Sequence, residues 1–502
     1  MPPAPFRVLV ANRGEIALRI IRACHEEGLE AVAVYSEADR LSPHVRAADH
    51  AVPIGPASPA ESYLRIDRLL AAAQRTGATA IHPGYGFLAE RAPFAEAVEQ
   101  AGLVFIGPSA TAIRAMGDKT EARRRMQAAG VPIVPGLTVP VPDPEAARVA
   151  AAEIGFPVLV KASAGGGGKG MRVVREPGEL RGALEAAASE AAKAFGDPSL
   201  YLEKFIERPR HVEIQILADH ERTVHLGERE CSIQRRHQKL VEEAPSVALT
   251  AELRRRMGEA AVAAARAVQY RSAGTCEFLL AADGSFYFLE MNTRIQVEHP
   301  VTELVYGVDL VREQLRIAQG LPMRIPSAPL TPRGWAVECR ITSEDPAHGF
   351  LPSTGRIEYL AVPAGPGVRW DGGVDVGNEI GLHYDSLLGK IVTWGATRAE
   401  AIRRMRRALE ELVISGVATN QAFHLRLLAD DAFLRGEFDS QFLDRRPDLL
   451  TAELAPDQAV ALAVAAALAE DEARAVRKPV VGDEAAGRSR WRLAGLWDGL
   501  RR

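Results

Sequence analysis

The residues best suited to chemistry lie in one short segment with the sequence EMNTRIQVE. Polar side chains recur there at every second position, namely at Glu290, Asn292, Arg294, Gln296 and Glu298. Because side chains alternate faces along an extended chain, an extended path would place two carboxylates, two amides and a guanidinium on one side. The solvent face of an antiparallel strand would show the same alternation, so this pattern alone leaves both interpretations open.

A further acidic residue, Glu277, lies in the preceding strand-like segment, residues 275–280. The turn sequence Ala-Asp-Gly and a second apolar run separate it from Glu290. A hairpin of the two segments would bring Glu277 opposite Glu290, and Asn292 would add a third oxygen atom. Hard oxygen ligands suit a Mg²⁺ ion that carries a nucleotide phosphate. We therefore predict a divalent-metal site at these three residues.

A glycine-rich loop, ASAGGGGKG at 162–170, separates strand-like segments at 156–161 and 171–174. A Walker A motif is excluded because Gly170 stands where Ser or Thr is needed, and the match to GxGxxG means little in a run of glycines. The order strand–loop–strand predicts a hairpin lid whose N–H groups cover phosphates, with Lys161 placed to neutralise one of them. A flexible hairpin without a ligand is the alternative.

The elements that must hold these groups begin with a βαβ unit, with strands at 7–11 and 31–35 and a helix at 15–27. This order predicts a parallel sheet. A dinucleotide-binding fingerprint is excluded because the turn 12–15 has one glycine where three are needed. The loop 82–88 follows a further strand, at the sheet edge where ligands usually bind.

Two later segments carry more candidate groups. The sequence CSIQRRHQK at 231–239 is dense in hydrogen-bond donors and is predicted to be a polar loop. Residues 337–341 alternate as a strand, which would place Glu338 and Arg340 on one face and Cys339 on the other.

The composition changes toward alanine and charge beyond residue 445. Trp491 and Trp497 lie near the chain end, behind a linker-like stretch. Large apolar side chains are costly to expose, which favours a docking point for a partner. A poorly ordered terminus is the alternative.

Composition excludes several classes of protein. The chain has 502 residues, enough for two to four domains, and a net charge of −4, which gives no indication of nucleic acid or membrane as a partner. Its four cysteines form no CxxC pair, so a zinc site or redox motif is not expected. Sparse cysteine, and the absence of signal-peptide and membrane-spanning patterns, predict a cytoplasmic protein.

Six longer motifs follow one another along the chain: ANRGEIALR (11–19), HPGYGFLAE (82–90), KASAGGGGKGMRVV (161–174), QRRHQKLVEEAP (234–245), EMNTRIQVEHPVTE (290–303) and ECRITSEDP (338–346). With them the chain resembles, from about residue 7 to about residue 444, the biotin carboxylase component of biotin-dependent acetyl-CoA or acyl-CoA carboxylases, a member of the ATP-grasp superfamily.

The resemblance implies an α/β (α+β) fold of the ATP-grasp type. It has an N-terminal domain built on a parallel sheet, a mobile glycine-rich lid and a C-terminal domain with an antiparallel sheet. The expected boundaries are 1–115 for the N-terminal domain, 116–133 for a linker, 134–206 for the lid, 207–330 for the catalytic core, 331–447 for the C-terminal domain and 448–502 for a tail toward a partner.

The same resemblance implies roles for individual residues. The expected ATP contacts are Lys119, Lys161, Gly165, Gly166, Gly167, Gly168, Glu203, Lys204, Phe205, Ile206, His211, Gln234 and His237. The metal ligands are Glu277, Glu290 and Asn292, and the bicarbonate pocket contains Lys239, Arg294, Gln296 and the Val297 backbone. Glu298 is the expected general base, Arg340 faces the ureido oxygen of biotin, and Tyr85 lies near biotin. Apart from the resemblance, His211 and His237 would be ordinary histidines.

The implied reaction is carboxylation of biotin with ATP, Mg²⁺ or Mn²⁺, and bicarbonate, through carboxyphosphate. Biotin would be carried by a separate carrier protein or domain, since this chain has no Met-Lys-Met segment for its attachment. A carboxyl transferase and a second copy of the chain are the other expected partners. The familiar homodimer contact has an aromatic residue where this chain has Pro366, while Arg19, Arg22 and Arg369 remain as possible interface residues.

Two other functions remain open at this point. A different ATP-grasp ligase, joining a carboxylate to an amine, would share the lid and the metal ligands. It would not need Lys239, Arg294 and Glu298 together with Arg340. A regulatory relative without catalysis is the second alternative, although each position that can be matched retains its chemical group.

Overall fold

The computed structural model describes residues 6–137, 139–162, 170–326 and 330–451, together with 460, 464, 467 and 468. Residues 1–451 form one compact unit and 452–502 a second. The glycines 165–168 of the expected lid and the two tryptophans of the tail lie outside the described residues. Among the residues that are described, no helix is long and apolar enough to cross a membrane.

The N-terminal region is built on a five-stranded parallel sheet with the strand order β3-β2-β1-β4-β5. Its elements are β1 (Val8–Val10), α1 (Gly14–Glu26), β2 (Ala31–Ser36), α2 (Pro43–Ala47), β3 (His50–Gly55), α3 (Ile66–Thr76), β4 (Ala80–His82), α4 (Ala92–Gln100) and β5 (Val104–Phe105). β1 pairs in parallel with β2, which confirms the predicted βαβ unit. Its three residues are fully buried between helices, as parallel sheets require.

Two helices connect this sheet to the lid: α5 (Ala110–Gly117) and α6 (Lys119–Ala128). The lid contains α7 (Pro144–Ile154), β6 (Val158–Ala162), β7 (Arg172–Val174), α8 (Leu180–Phe195) and β8 (Leu200–Lys204). β6 pairs antiparallel with both β7 and β8. The predicted hairpin on either side of the glycine-rich loop is therefore confirmed.

The central region follows with β9 (Arg210–Ala218), β10 (Thr223–Arg235), β11 (Gln238–Ala244), α9 (Ala251–Ala267), β12 (Ser272–Leu280), β13 (Phe286–Asn292), α10 (His299–Tyr306), α11 (Leu310–Ala318) and β14 (Trp335–Thr342). The C-terminal region contains β15 (Glu344–Asp345), β16 (Leu351–Pro352), β17 (Gly355–Arg356), β18 (Tyr359–Ala361), β19 (Val368–Gly372), β20 (Glu379–Ile380), β21 (Leu387–Gly395), α12 (Arg398–Glu411), β22 (Val413–Ser415), α13 (Gln421–Leu427), α14 (Asp431–Arg435) and α15 (Pro447–Leu450).

One eight-stranded antiparallel sheet joins the central and C-terminal regions, in the order β13-β12-β9-β10-β11-β14-β21-β19. One apolar cluster packs α9 against β9 and β12, and another packs α12 against β14 and β21. Leu449, in the last described helix, is buried in the second cluster. The sheet brings strands that are far apart in sequence side by side, and its polar side chains build the site.

Two local predictions are wrong. The segment 231–239 is not a loop, because β10 continues to Arg235 and β11 begins at Gln238. The turn between them consists of Arg236 and His237, both with positive φ, as in the tight turns that favour hairpins. Within this segment only the two turn residues are exposed, so the density of donors did not indicate a loop.

The second wrong prediction is the extended path from Glu290 to Glu298. The extended path does not persist to Glu298, because β13 ends at Asn292 and a turn leads into α10. Glu298 is the residue immediately before the first turn of that helix. Its nearness to Arg294 and Gln296 therefore comes from a turn rather than from strand alternation.

Candidate active site

The metal end of the site is the hairpin of β12 and β13. Glu277 lies directly opposite Glu290, which confirms the predicted register. The side-chain amide of Asn292 donates to Glu277 at 2.8 Å, so the three predicted ligands are neighbours. Glu290 is exposed, and no hydrogen bond or ion pair from the described residues engages its carboxylate. Oxygen ligands of this kind fit Mg²⁺ or Mn²⁺, with Glu290 open to receive the ion.

The two carboxylates of this hairpin differ in charge environment. Burial alone would raise the pKa of Glu277, but the ammonium of Lys239 and the ring of His211 hold it well below its usual range. The pKa of Glu290 is instead raised, mainly by desolvation of its carboxyl group in the cleft and secondarily by the charge on Glu277. The side chain of Glu290 still reaches solvent. A cation bound at Glu290 would reverse that shift, because it favours the ionised carboxylate.

The base end centres on Glu298, whose side chain is fully buried. Lys239 donates to one of its oxygens at 2.7 Å, and Arg340 donates to the other at 2.8 Å. Despite complete burial, these two cations hold the pKa of Glu298 well below the ordinary value. The carboxylate is therefore ionised and hydrogen-bonded at both oxygens.

Lys239 connects the two ends of the site. Its ammonium contacts three carboxylates, Glu213 at 2.6 Å, Glu277 at 2.9 Å and Glu298 at 2.7 Å. Glu213 is held from its other side by the buried guanidinium of Arg229. Because all three N–H groups of the ammonium are used, Lys239 occupies a fixed position between the predicted metal ligands and the predicted base.

Arg340 is shared between two carboxylates of neighbouring elements. It donates to Glu298 and, at 2.6 Å, to Glu242 of β11. Burial raises the pKa of Glu242 to about 7, despite the guanidinium beside it. Glu242 and Glu213 were missed in the sequence, where each is one polar position among several in an alternating strand. Only the strand pairing of the large sheet identifies them.

Arg294 is held in the cleft by hydrogen bonds to three side chains and to the backbone carbonyl of Ile295. It donates to Glu90 at 2.9 Å and, at 3.2 Å each, to Asn292 and Gln296. Gln296 in turn donates to Glu277 at 3.3 Å. Glu90 was not predicted as a site residue, although it is the last residue of the motif HPGYGFLAE. Its place at the carboxyl edge of the parallel sheet was the available signal.

A cavity of about 240 Å³ lies between the lid strands and β13, where the nucleotide is predicted to bind. Lys119, Lys161, Tyr201, Glu203 and Glu290 are among its lining residues. Lys161 contacts Glu203 at 2.5 Å, so the expected phosphate-binding ammonium is neutralised by a carboxylate in this state. Of the expected ATP contacts at 203–206, only Glu203 lines the cavity. Lys204 instead donates to two backbone carbonyls of the lid.

The remaining predicted nucleotide contacts do not gather in one place. His211 is buried against Glu277 at 2.9 Å, beside the metal end. His237 is exposed at the tip of the β10–β11 hairpin. Gln234 donates to the backbone carbonyl of Cys231 at 2.8 Å, close to the start of that turn.

The two remaining predicted contacts, Tyr85 and the Val297 backbone, are linked by the buried ion pair of Glu15 and Lys390. Tyr85 donates its hydroxyl hydrogen to Glu15 in the first turn of α1. The carbonyl of Val297 accepts a hydrogen bond from Lys390 of β21. Lys390 also contacts Glu15 at 3.2 Å. Neither Glu15 nor Lys390 was singled out in the sequence.

Two of the possible interface arginines are already engaged within the chain. Arg19 is buried and paired with Glu303 and Asp309 at 2.9 and 2.6 Å. Arg369 contacts Glu303 and Asp371, each at 2.7 Å. Arg22 and Pro366 are exposed. Of the positions named for an interface, these last two are the accessible ones.

Models of known families match nearly the whole compact unit. The N-terminal domain of biotin carboxylase matches residues 5–113, and its C-terminal domain matches residues 338–445. The ATP-binding domain of the carbamoyl-phosphate synthase L chain matches residues 118–325. These matches leave the segment after residue 445 uncovered.

Individual relatives agree over the same range. The chain is 54% identical to the biotin carboxylase of Nostoc over 438 residues, which is 87% of this chain and 98% of the relative. It is 53% identical to biotin carboxylase 1 of Bacillus subtilis over 440 residues, again 87% of this chain and 98% of the relative.

Solved structures show the same architecture. The biotin carboxylase domain of Hydrogenobacter thermophilus 2-oxoglutarate carboxylase, a dimer in complex with MgADP, ADP and bicarbonate, superposes with a TM-score of 0.83 at 48% identity, covering 89% of this chain and 99% of that one. Biotin carboxylase from Campylobacter jejuni, in a β,γ-ATP complex, gives 0.83 at 45% identity, covering 88% and 98%. The chain belongs to the biotin carboxylase family of ATP-grasp ligases.

Proposed function

We propose that this chain carboxylates biotin with ATP and bicarbonate, and that the residues around Lys239 carry out the reaction. The observation that carries the proposal is the position of Glu298, fully buried between Lys239 and Arg340, with Lys239 also bound to the metal ligand Glu277. A proton acceptor, two cations and a metal site are thereby joined in one network.

In this proposal bicarbonate binds between Arg294 and Lys239, where it displaces one of the three carboxylates from the Lys239 ammonium. The planar fork of Arg294 matches the two oxygens of a carboxylate-like anion, and Gln296 and the Val297 backbone complete the pocket. Glu298 accepts the bicarbonate proton while a bicarbonate oxygen attacks the γ-phosphorus of ATP, releasing ADP and forming carboxyphosphate. A bound Mg²⁺ supplies neutralisation of the charge on the phosphates, and Glu277, Glu290 and Asn292 are the residues that hold it.

Carboxyphosphate then breaks into CO₂ and phosphate. The phosphate removes the N–H proton of biotin, and the nitrogen attacks the carbon of CO₂. Arg340 stabilises the negative charge that develops on the ureido oxygen of biotin. To do so, its guanidinium turns from Glu298 toward the ureido oxygen after Glu298 has already accepted the bicarbonate proton. Glu242 stays as the second anchor of Arg340.

The nucleotide cavity requires a rearrangement before ATP binds productively. Lys161 is paired with Glu203 here, and the incoming phosphates compete with that carboxylate for the ammonium. Closure of the lid over the phosphates excludes water, which otherwise hydrolyses carboxyphosphate. The contacts expected from 204–206 belong to the closed state.

A carrier that brings biotin and a transferase that takes the carboxyl group are the partners of this function. Similar chains include the alpha chain of human propionyl-CoA carboxylase and the biotin carboxylase part of a pyruvate carboxylase, so the step on biotin is the one they share. The exposed Arg22 and Pro366 mark the surface for a second copy of the chain. The segment from residue 452 is the attachment for a carrier or transferase, tested by truncation after Thr451, because Leu449 belongs to the core.

The decisive experiment measures ADP release by the purified chain with ATP, Mg²⁺, bicarbonate and free biotin. Biotin carboxylation predicts release that requires bicarbonate and rises with free biotin. An ATP-grasp ligase of another kind would need an amine and a different carboxylate. Absence of bicarbonate-dependent ADP release from folded protein would contradict the proposal and favour a regulatory role.

A further inference from the structure

A buried lysine outside the predicted site contacts it from behind. Lys390 lies in the middle of β21 and is completely buried. Its ammonium donates to the backbone carbonyl of Val297 and contacts Glu15 at 3.2 Å. A lysine is almost never fully buried unless it is paired, so these contacts account for its presence there.

The lysine joins three parts of the compact unit. Val297 belongs to the turn that carries the bicarbonate pocket, Glu15 to the first helix, and Lys390 to the C-terminal part of the large sheet. Lys390 is also the direct cross-strand neighbour of Arg340 on β14 and of Asp371 on β19. It therefore lies beside the arginine that faces biotin in the proposed reaction.

The first helix approaches this sheet closely. A side chain at Gly373 would place its Cβ 2.5 Å from the backbone nitrogen of Glu15, so glycine is required for that approach. Glu15 is consequently held within reach of both Lys390 and the loop that contains Tyr85. That loop is further fixed by Asn12, whose amide donates to the carbonyls of Pro83 and Tyr85 at 2.8 and 2.7 Å.

Glu15 has two partners among the described residues. One carboxylate oxygen accepts from Tyr85 and contacts Lys390, and the other oxygen has no hydrogen-bond partner in the part of the chain that the structure describes. Tyr85 and Lys390 share that oxygen, so the interaction of Lys390 with the Glu15 carboxylate depends on whether Tyr85 keeps its hydrogen bond. This is a continuous line of contacts from the expected biotin loop to the expected bicarbonate pocket.

We propose that Lys390 is a positioning residue that fixes the Val297 carbonyl and, through Glu15, couples the Tyr85 loop to the bicarbonate pocket. The proposal rests on the function proposed above and deepens it. When biotin draws the Tyr85 hydroxyl away, Glu15 is left with Lys390 alone. The ammonium shifts toward Glu15, its hydrogen bond to Val297 weakens, and the pocket adjusts to the presence of biotin. Binding at one site thereby changes the affinity at the other.

The test measures the KM for bicarbonate in ATP cleavage, without biotin and with saturating free biotin. In the wild type, we expect biotin to change this KM by about fivefold, which is at the low end of ordinary coupling between two sites. Lys390→Met leaves the Val297 carbonyl without its donor, and we expect the KM without biotin to rise about tenfold with a smaller change in kcat. Arg254→Met, which removes the cation paired with the buried Glu228 outside this site, is the matched control with an unchanged KM.

Loss of a buried cation can prevent folding, so two milder variants accompany it. Glu15→Gln retains an acceptor for the Tyr85 hydroxyl but removes the charge that pairs with Lys390. Tyr85→Phe removes the hydroxyl alone. Both are expected to abolish the effect of biotin on the KM for bicarbonate. A biotin effect of wild-type size in both variants, or none in the wild type, overturns the inference. Absence of bicarbonate-dependent cleavage in the wild type would instead overturn the function on which it rests.

Discussion

The two ends of the site are built in different ways. The metal end is one hairpin, in which Glu277 and Glu290 face each other across adjacent strands. The base end gathers Glu298 from a turn, Lys239 and Glu242 from β11, and Arg340 from β14. The first arrangement needs only local pairing, whereas the second needs the whole antiparallel sheet.

The ends also differ in charge. Glu298 is neutralised by two cations within hydrogen-bonding distance, and its pKa is depressed despite complete burial. Glu290 has no such partner among the described residues, and its pKa is raised. The carboxylate at the base end is therefore paired without ligands, whereas we expect a cation to complete the metal end. Variants at the two ends should consequently fail in different ways.

The largest effect is expected from Glu298→Gln. The amide keeps the size of the side chain but cannot accept the bicarbonate proton, so kcat for bicarbonate-dependent ATP cleavage should fall about 10²- to 10⁴-fold. Initial rates at saturating ATP and bicarbonate measure it. Glu243→Gln is the matched control, because Glu243 is a buried carboxylate of the same strand as Glu242 that pairs with Trp335 and Arg398 outside the site. Comparable rates in the two variants would remove Glu298 from its role.

What the sequence could predict follows the same division. The pairing of Glu277 with Glu290 was predictable, because a turn and alternating side chains fix the register of a hairpin. Glu213, Glu242 and Lys390 were not, because each becomes part of the site only when distant strands pair. The parallel sheet was likewise predictable from the order of its elements. The segment 231–239 was predicted as a loop because it is dense in polar residues, although only Arg236 and His237 lie outside the strands.

The second variant, Glu290→Gln, tests the open end. Removal of one charged ligand should raise the Mg²⁺ concentration for half-maximal activity by at least about tenfold, since even residues that only support metal ligands contribute tenfold or more. Activity should recover at high metal concentration, because the base end is unchanged. A Mg²⁺ titration of ATP cleavage measures this. An unaltered titration curve with reduced kcat would show that Glu290 does not bind the metal.

The third variant, Arg340→Ala, divides the two half-steps at the base end. Carboxylation of free biotin should fall about a hundredfold or more, because the cation opposite the developing oxyanion is lost. Bicarbonate-dependent ATP cleavage should retain a larger share of its rate, since biotin is not involved in that step. Arg294→Lys provides the contrast and should raise the KM for bicarbonate, because a point charge replaces a planar fork. Equal loss of both activities in the Arg340 variant would contradict the assigned order.

The smallest effect concerns a second buried carboxylate at the base end. Glu338 is as buried as Glu298, but neither of its oxygens has a hydrogen-bond partner among the described residues. Burial, and secondarily the charge on Glu242, raise the pKa of Glu338 well above the usual value, even with Lys390 nearby. The contrast between Glu298 and Glu338 thus isolates the contribution of cations that lie within hydrogen-bonding distance.

The pH dependence of stability follows from the direction of this shift. A carboxyl group with a raised pKa in the folded state stabilises the fold below its unfolded pKa, and that contribution is lost as the pH rises toward the folded pKa. Glu338→Gln should therefore raise the melting temperature at pH 8 and change it little near pH 5. Each pH unit between the two pKa values corresponds to about 1.4 kcal/mol of unfolding free energy.

Glu303→Gln is the matched control with the opposite sign. Although burial opposes it, Arg19 and Arg369 hold the pKa of Glu303 well below its usual range. Its contribution is fully present above the unfolded pKa of about 4 and is lost below it, so this variant should be destabilised equally at pH 8 and pH 5 and progressively less in stronger acid. Thermal melts of the three proteins from pH 8 to below about pH 4 decide the point. If Glu338→Gln followed the same trend as Glu303→Gln, Glu338 would be ionised in the folded protein, and burial alone would not distinguish it from Glu298.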